Sequence, residues 1–298
     1  MSVAGGLYRA FERGAAVGCT GLQIFTRNQR QWQSRPLSFE QIYRFKELKK
    51  VHAEIRFVLA HGSYLVNPAA DCENRPDLTK LSVETMLDEL NRCAALDISF
   101  LIVHPGSHGG AGESEGVVRV VDCIERVMEQ YSGDTVLLIE TTAGQGTGVG
   151  YRFEHIRDII GGVHDQRIGA CIDTCHIFSA GYDIRTSRSY RRTMHEFNRV
   201  VGLSHVKAIH LNDSKGGFGA RTDRHMHIGR GEIGLKAFSM IMRDRRFTHI
   251  PKILETPKKL NGKEMDRENI DLLRGLSRNN PGSKPTDSGE GFECTEQD

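Results

Sequence analysis

Short, nearly continuous apolar runs recur along the chain and alternate with amphipathic stretches. The runs are rich in Val, Ile, Leu and Phe without polar alternation, which is typical of strands buried on both faces. Seven runs are present, at Gly21–Phe25, Ile55–Ala60, Ile98–Val103, Thr135–Ile139, Ile168–Ile172, Val206–Ile209 and Lys252–Leu254. Helical periodicity marks the stretches between them, such as Ser82–Ala94, Gly116–Gln130 and Arg191–Val201. Repeated strand–helix units predict an α/β fold with a parallel sheet.

A (β/α)₈ TIM barrel needs about 250 residues and eight strands. The chain has 298 residues but only seven strand-like runs. Its opening, Met1–Gly6, consists mostly of small residues and continues directly into a predicted helix at Leu7–Val17. This composition suits the loop after a strand, so we expect a TIM barrel that lacks its first strand. A disordered start or a seven-stranded barrel fits composition and periodicity equally well.

Composition and charge narrow the class of protein. The chain is 38% hydrophobic and 26% charged, with a net charge of +2, so contacts with nucleic acid would depend on local patches. It has no apolar run long enough for a membrane span and no signal-peptide pattern at its start. Seven cysteines without CxxC pairs suggest a reducing, cytoplasmic location. We expect one barrel domain over residues 1–276 and a disordered, polar tail over 277–298.

Metal-capable side chains follow six successive apolar runs. In a parallel barrel the carboxyl ends of all strands lie on one face, where active sites form. These side chains are His61, His104, Glu140, Asp173 with His176, His210 and Glu255. One strand-end histidine would more simply be a capping or core residue, but six runs in a row favour a metal site.

A further polar segment follows His210, at Asp223–His227. Residues two apart point to the same side of an extended chain, so Asp223 and His225 are able to share a metal. The spacing does not exclude His227, and a solvated polar loop is the simpler alternative. The chain has neither a GxGxxG turn after a first strand nor a P-loop, so no nucleotide cofactor is expected.

Several motifs together resemble the signature segments of the endonuclease IV family, the zinc-dependent abasic-site endonucleases. The resemblance runs in order from Met1 to about Leu276. The segments are Phe25–Trp32 (FTRNQRQW), His61–Leu65 (HGSYL), His104–His108 (HPGSH), Glu140–Gly146 (ETTAGQG), Asp173–His176 (DTCH), His210–Asp213 (HLND), Asp223–His225 (DRH) and Leu254–Pro257 (LETP). Family members carry a further strand before the opening loop, and that strand holds no zinc ligand.

The resemblance implies a TIM barrel with three zinc ions, for which manganese or iron are possible substitutes. Glu140, which bridges two metals in this assignment, and Glu255 are the implied catalytic residues. Arg30, Tyr64 and Leu65 match family positions that push into DNA. The implied ligand groups are His61, His104 and Glu140 for the first metal, Glu140, Asp173, His210 and Glu255 for the second, and His176, Asp223 and His225 for the third.

The implied activity is hydrolysis of the phosphodiester bond 5′ to an abasic site, leaving a 3′-hydroxyl, together with trimming of blocked 3′ ends. The expected partner is double-stranded DNA with such damage, and the expected enzyme is a monomer. A sugar isomerase or epimerase would use the same barrel with one or two metals. It would need neither Asp223 and His225 nor the basic loop residues Arg27, Arg30, Lys215, Arg221 and Arg224. A non-enzymatic zinc- or DNA-binding protein is disfavoured because the ligands are histidine and carboxylate rather than cysteine.

Overall fold

The seven apolar runs form one parallel sheet in the computed structural model, which describes residues 1–278. The strands are hydrogen-bonded in the order β1-β2-β3-β4-β5-β6-β9. Their bounds are β1 Gly21–Ile24, β2 Phe57–His61, β3 Phe100–Val103, β4 Val136–Glu140, β5 Ile168–Asp173, β6 Val206–His210 and β9 Lys252–Ile253. Two short hairpins complete the strands, pairing β7 Asp213–Ser214 with β8 His225–Met226 and β10 Lys259–Leu260 with β11 Lys263–Glu264.

Helices lie between the strands and cover the sheet from outside, as the alternating pattern predicts. In α4, for example, Val117, Val120, Ile124 and Val127 are buried at helical spacing. The helices are α1 Arg9–Ala16, α2 Phe39–Val51, α3 Pro76–Ala95, α4 Glu113–Met128, α5 Phe153–Gly162, α6 Thr174–Ala180, α7 Ser187–Val200, α8 Leu235–Arg243 and α9 Asp266–Arg278. This arrangement is that of a TIM barrel with seven strands in place of eight.

A layer of apolar side chains fills the interior of the barrel. It takes one residue from each of six strands, and all six are buried: Leu59, Ile102, Leu138, Cys171, Ala208 and Ile253. Because alternate residues of these strands pack inwards and outwards, continuous apolar runs satisfy both layers of the core. The interior is therefore closed beneath the carboxyl ends of the strands, and the open space lies at those ends, which we call the mouth.

The sheet is not closed between its first and last strands. Within residues 1–278, β1 and β9 pair only with β2 and β6, respectively. A cavity of about 280 Å³ lies there and is lined by residues such as Gly21, Leu22 and Ile253. The amino group of Met1 donates a hydrogen bond to the carbonyl oxygen of Gln23 on β1. Burial lowers the pKa of this amino group to about 6. The prediction of a barrel without a strand before β1 is thus confirmed.

Helix α9 holds the two ends of the barrel together where strand pairing is missing. Arg267 and Arg274 donate hydrogen bonds to the carbonyl oxygens of Ala16 and Gly18, which lie at the end of α1 and just beyond it. Helix α9 continues to Arg278, two residues past the predicted domain boundary. The rest of the predicted tail, 279–298, lies outside the described residues. None of the helices described is long and apolar enough to cross a membrane.

We expect an extended apolar segment fused ahead of Met1 to raise the melting temperature. It would pair with the unpaired edges of β1 and β9 and fill the cavity between them. A gain of about 1 kcal/mol raises the melting temperature of a chain this size by about 2 °C. The measurement is thermal unfolding of the fusion beside a control fusion of equal length made of Gly and Ser. Equal melting temperatures for the two fusions would show that the gap does not accept a strand.

Candidate metal centre

The strand ends bring the sequence-predicted residues together at the mouth. His61, Glu140, Asp173 and His210 are the last residues of β2, β4, β5 and β6. Their side chains and those of His104, His176, Asp223, His225 and Glu255 form three groups. Within each group, one nitrogen or oxygen atom per residue lies within 4.8 Å of the others. The groups are His61, His104 and Glu140; Glu140, Asp173, His210 and Glu255; and His176, Asp223 and His225.

Glu140 is fully buried and belongs to two of the groups. Its Oε2 lies 3.2 Å from the Nε2 atoms of both His61 and His104, and its Oε1 lies 2.8 Å from Nδ1 of His210. The two oxygens thus face different sets of imidazoles, as a bridging carboxylate requires. Burial raises the pKa of Glu140, but the attraction of His210 and His104 outweighs burial and holds it well below the usual value. Its role as a bridge stays a prediction.

Hydrogen bonds fix which nitrogen of each histidine faces the mouth. Nδ1 of His176 lies 2.8 Å from the carbonyl oxygen of Thr141, and Nδ1 of His225 lies 3.2 Å from that of Glu255. A carbonyl oxygen only accepts, so both Nδ1 atoms carry the proton. The Nε2 atoms of the two rings lie 3.4 Å apart, and each is within 3.2 Å of Oδ1 of Asp223. Three acceptor atoms therefore converge on one point.

The first two groups show the same convergence. Nδ1 of His61 donates to the carbonyl oxygen of Gly62 at 2.9 Å, so its Nε2 presents a lone pair to Oε2 of Glu140. Nε2 of His210 donates to Oε1 of Gln23 at 2.8 Å, so its Nδ1 faces carboxylate oxygens of Glu140 and Glu255 at 2.8 and 3.0 Å. Lone pairs that face each other at these distances repel unless a cation or a proton lies between them. The residues therefore fit divalent cations.

The donor atoms suit zinc and similar divalent ions. All three groups consist of imidazole nitrogens and carboxylate oxygens, the ligands that zinc, manganese and iron accept. Cys175 also lies close to Asp173 and His225. Burial raises the pKa of its thiol to about 12, and the thiol donates to the carbonyl oxygen of Arg224 at 3.6 Å. The three histidine–carboxylate groups thus remain the best candidates, and the number and identity of the metals stay predictions.

Two amide side chains orient the carboxylates, and sequence reasoning missed both as site residues. Gln23 on β1 donates to Oε1 of Glu255 at 2.7 Å while it accepts from His210. Asn212 donates to Oδ2 of Asp173 at 2.6 Å and accepts from the backbone N–H of Glu255 at 2.8 Å. The available signal for Gln23 was that it is a polar residue inside the otherwise apolar run of β1. For Asn212 the signal was its position two residues after the predicted ligand His210.

The loop that carries Asp223 and His225 is held by a buried aspartate, Asp213. Its two carboxylate oxygens accept four backbone hydrogen bonds of 2.8–3.1 Å, and the donors are the N–H groups of Ser214, Gly229, Gly231 and Ile233. Gly231 is required there, because a Cβ atom would lie 2.5 Å from Oδ1 of Asp213. His227, which the spacing left open, is buried, and its Nδ1 lies 3.1 Å from the Asn269 amide, away from the three groups.

The predicted DNA-contacting residues lie in two loops at the edge of the mouth. Arg30 is exposed, Tyr64 is 62% exposed, and Leu65 is half-buried. The ring of Tyr64 packs edge-on against Phe25 at 5.4 Å and lies 5.8 Å from the ring of His61. A large exposed aromatic ring beside the metal groups is placed to meet a bound substrate. Its contact with DNA stays a prediction.

Helix α3 fixes both of these loops from below. Ser63 donates from its hydroxyl to the carbonyl oxygen of Gln29 at 2.9 Å, and its N–H donates to Oε1 of buried Glu89 at the same distance. Burial raises the pKa of Glu89 to about 7. Arg27 is buried as well and pairs with Asp88 at 2.8 Å. Arg27 is thus a basic residue of this loop, as expected, but its guanidinium is buried and holds the loop.

A parallel barrel with histidine and carboxylate clusters at its mouth defines the class of xylose isomerase-like TIM barrels, and residues 11–276 match that family's profile. "Probable endonuclease 4" of Chloroflexus aggregans is 48% identical over 282 residues, which cover 93% of this chain and 96% of that protein. Endonuclease IV from Thermus thermophilus superposes with a TM-score of 0.81 at 34% identity, over 93% of this chain and 96% of that one. The chain belongs to the endonuclease IV family of nucleases.

A structure titled "D-tagatose 3-epimerase-like protein" shares the fold, with a TM-score of 0.67 at 18% identity over 89% of this chain and 91% of that one. Identity this low shows the fold alone. The barrel therefore does not distinguish a nuclease from a sugar epimerase, and the distinction has to come from the side chains at the mouth.

We expect Glu140→Gln to lose at least one bound metal ion per chain while the fold is retained. The amide keeps the shape of the carboxylate but removes the negative charge that offsets repulsion between two neighbouring cations. The measurement is metal per chain by elemental analysis, with circular dichroism for the fold. Glu89→Gln is the matched control, because Glu89 is a buried glutamate outside the three groups. Full metal content in Glu140→Gln would rule out the bridging role.

Proposed function

We propose that this protein is a DNA-repair endonuclease that hydrolyses the phosphodiester bond 5′ to abasic sites and leaves a 3′-hydroxyl. The same site would trim blocked 3′ ends. The observation that carries the proposal is the convergence of acceptor atoms in three adjacent groups, two of which share Glu140. The names of the relatives support a nuclease. Three zinc ions, replaceable by manganese or iron, are the proposed cofactors, and the enzyme is proposed to act as a cytoplasmic monomer without a nucleotide cofactor.

Divalent cations held by these residues would lower the pKa of water towards neutrality and offset negative charge on a phosphate and its leaving oxygen. The protein contributes the positions of the ligands. Glu140 and Glu255 are the proposed catalytic residues because they would touch the cations at the centre of the mouth. Glu255 is partly exposed and is held by Gln23 and Asn212. It is therefore the most accessible carboxylate of the second group, since Glu140 and Asp173 are fully buried.

The third group favours phosphodiester hydrolysis over sugar isomerisation. An isomerase of this fold needs one or two metals, whereas His176, Asp223 and His225 offer a third set of converging atoms. The loop that carries Asp223 and His225 also exposes Lys215, Arg221 and Arg224. A third cation and a positively charged loop both suit a phosphate backbone and are not needed for a neutral sugar.

Selection of abasic sites is proposed to depend on Arg30, Tyr64 and Leu65. A duplex without one base has lost stacking there, so it costs less to bend and to extrude the sugar. Apolar and aromatic side chains that enter the stack stabilise the bent form. Tyr64 and Leu65 lie beside His61, so a wedge at this position would bring the extruded sugar to the metal groups. The anchoring by Glu89 keeps the loop in place while it meets the duplex.

The direct test is cleavage of a duplex oligonucleotide with a single abasic site. We expect cleavage on the 5′ side with a 3′-hydroxyl product, loss of activity after prolonged chelation, and recovery when zinc is restored. An undamaged duplex of the same sequence is the control substrate. The proposal fails if the metal-loaded protein leaves the abasic duplex intact, or cuts both duplexes equally.

The wedge assignment has its own prediction. Replacing Tyr64 and Leu65 together with Ala should reduce kcat/KM on the abasic duplex by about 10–100-fold, because unstacking a step costs a few kcal/mol. Metal content should stay at the parent's value. Phe39→Ala with Tyr43→Ala is the matched control, since these two exposed aromatic residues lie on α2. Unchanged cleavage by the Tyr64 and Leu65 variant would contradict the assignment.

A further inference from the structure

Helix α7 carries four arginines on one exposed face, at positions 188, 191, 192 and 199. At 100° per residue these positions fall within about 100° of arc. The opposite side of the helix is buried and packs into the barrel wall through Tyr190, Thr193, Met194 and Phe197. We call Arg188, Arg191, Arg192 and Arg199 the α7 arginine face. Its charge is therefore directed entirely towards solvent.

The charge of this face is largely uncompensated. Among residues 1–278, none of the four arginines has an ion pair within 4.0 Å. Glu196 is the single acidic residue of α7. Two neighbouring carboxylates pair with other arginines, Asp183 with Arg185 at 3.0 Å and Asp244 with Arg246. Burial raises the pKa of Asp183, but nearby arginines lower it overall, and Arg192 lies near enough to be one of them. Since the whole chain has a net charge of only +2, this face is a local concentration of positive charge.

The α7 arginine face begins beside the mouth. Arg185, one residue before the cap of α7, lies over the rings of Phe178 and Phe218, at 5.3 and 5.4 Å. Phe218 belongs to the loop that carries Asp223, and the N–H of Gly219 in that loop donates to the carbonyl oxygen of Phe178 at 3.2 Å. From Arg188 to Arg199 the face extends about 16 Å along the outside of the barrel. It thus starts near the loop that carries Lys215, Arg221 and Arg224 and runs down the outer wall of the barrel, away from the mouth.

We propose that the α7 arginine face is a second DNA-contact surface, which binds the phosphates of duplex DNA outside the segment that is cut. The proposal rests on the proposed function, which places a duplex at the mouth. Duplex DNA carries one charge per about 1.7 Å of axis, and arginine binds phosphate oxygens with two parallel hydrogen bonds. The exposed face of α7 has no aromatic residue to stack on unpaired bases, because Tyr190 and Phe197 are buried. A duplex backbone is therefore favoured over a single strand.

This surface would act without reading sequence or damage. Contacts with phosphates add affinity that weakens as the salt concentration rises. Each phosphate that is neutralised steepens the slope of log K against log salt concentration by about 0.9. Long duplexes, which reach beyond the mouth, should gain from these contacts, whereas short ones should not. The face would keep the enzyme on undamaged DNA near a lesion and would leave the chemistry at the metal groups unchanged.

The test compares the parent protein with a double variant that carries both Arg191→Gln and Arg192→Gln. The control is Lys80→Gln with Arg126→Gln, which removes two exposed cations from α3 and α4. Binding to an undamaged duplex of roughly 40 base pairs is measured over a range of salt. We expect the salt slope of the α7 variant to fall by about 2, and that of the control to stay near the parent's value. Cleavage of an abasic duplex of roughly 12 base pairs, and zinc content, should not change in either variant.

The outcomes separate this proposal from the proposed function. An α7 variant with the control's salt slope on duplex DNA overturns the second contact surface. The same binding measurement is made with single-stranded RNA. If the α7 substitutions lower the salt slope on that RNA but not on duplex DNA, the proposal is also overturned, because the face would then bind a different partner. If the α7 slope falls but even the parent fails to cleave abasic DNA, the contact surface stands and the proposed function is the part that is wrong.

Discussion

Acceptor atoms that point at one another at the mouth of the barrel are the constraint on which the rest of the site depends. Nε2 of His176, Nε2 of His225 and Oδ1 of Asp223 lie within 3.4 Å of one another while both Nδ1 atoms are bound to carbonyl oxygens. Such a set is stable only with a cation or protons in its centre. Burial lowers the pKa of His176, and Asp173, Asp223 and Glu140 raise it well above the usual value. The site is thus built for positive charge, and a bound metal would displace those protons.

The barrel makes this arrangement possible because it holds the converging atoms on rigid elements. Four of the nine side chains are the last residues of strands whose interior layer is fully packed. Asp173 has a double role, since its Oδ1 also caps α6 by accepting from the N–H of His176 at 2.8 Å. Gln23 and Asn212 then set the rotation of the carboxylates and of His210. Ligands that are held in this way would need little reorganisation when a metal binds.

The strands, and the side chains that gather at the mouth, could be predicted from the sequence for a physical reason. A strand buried on both faces has to be apolar throughout. The first His, Asp or Glu after an apolar run therefore marks the end of the strand. All seven runs became strands, and the ligand types gathered as the resemblance implies. The supporting residues were harder to predict, because their partners are distant in the chain. Gln23 and Glu255, for instance, are 232 positions apart. The burial of Arg27 was likewise not predictable, because a charged residue gives no sign in sequence of whether it is buried.

Glu140 is proposed to lie between two metal ions, and a third ion to be bound by His176, Asp223 and His225. Crystals of the metal-loaded protein, measured at wavelengths on both sides of the zinc absorption edge, test this arrangement most directly. We expect three anomalous peaks per chain, two of them on either side of the Glu140 carboxylate and about 3.5–4 Å apart. A single peak at the mouth, or peaks that Glu140 does not touch, would contradict it.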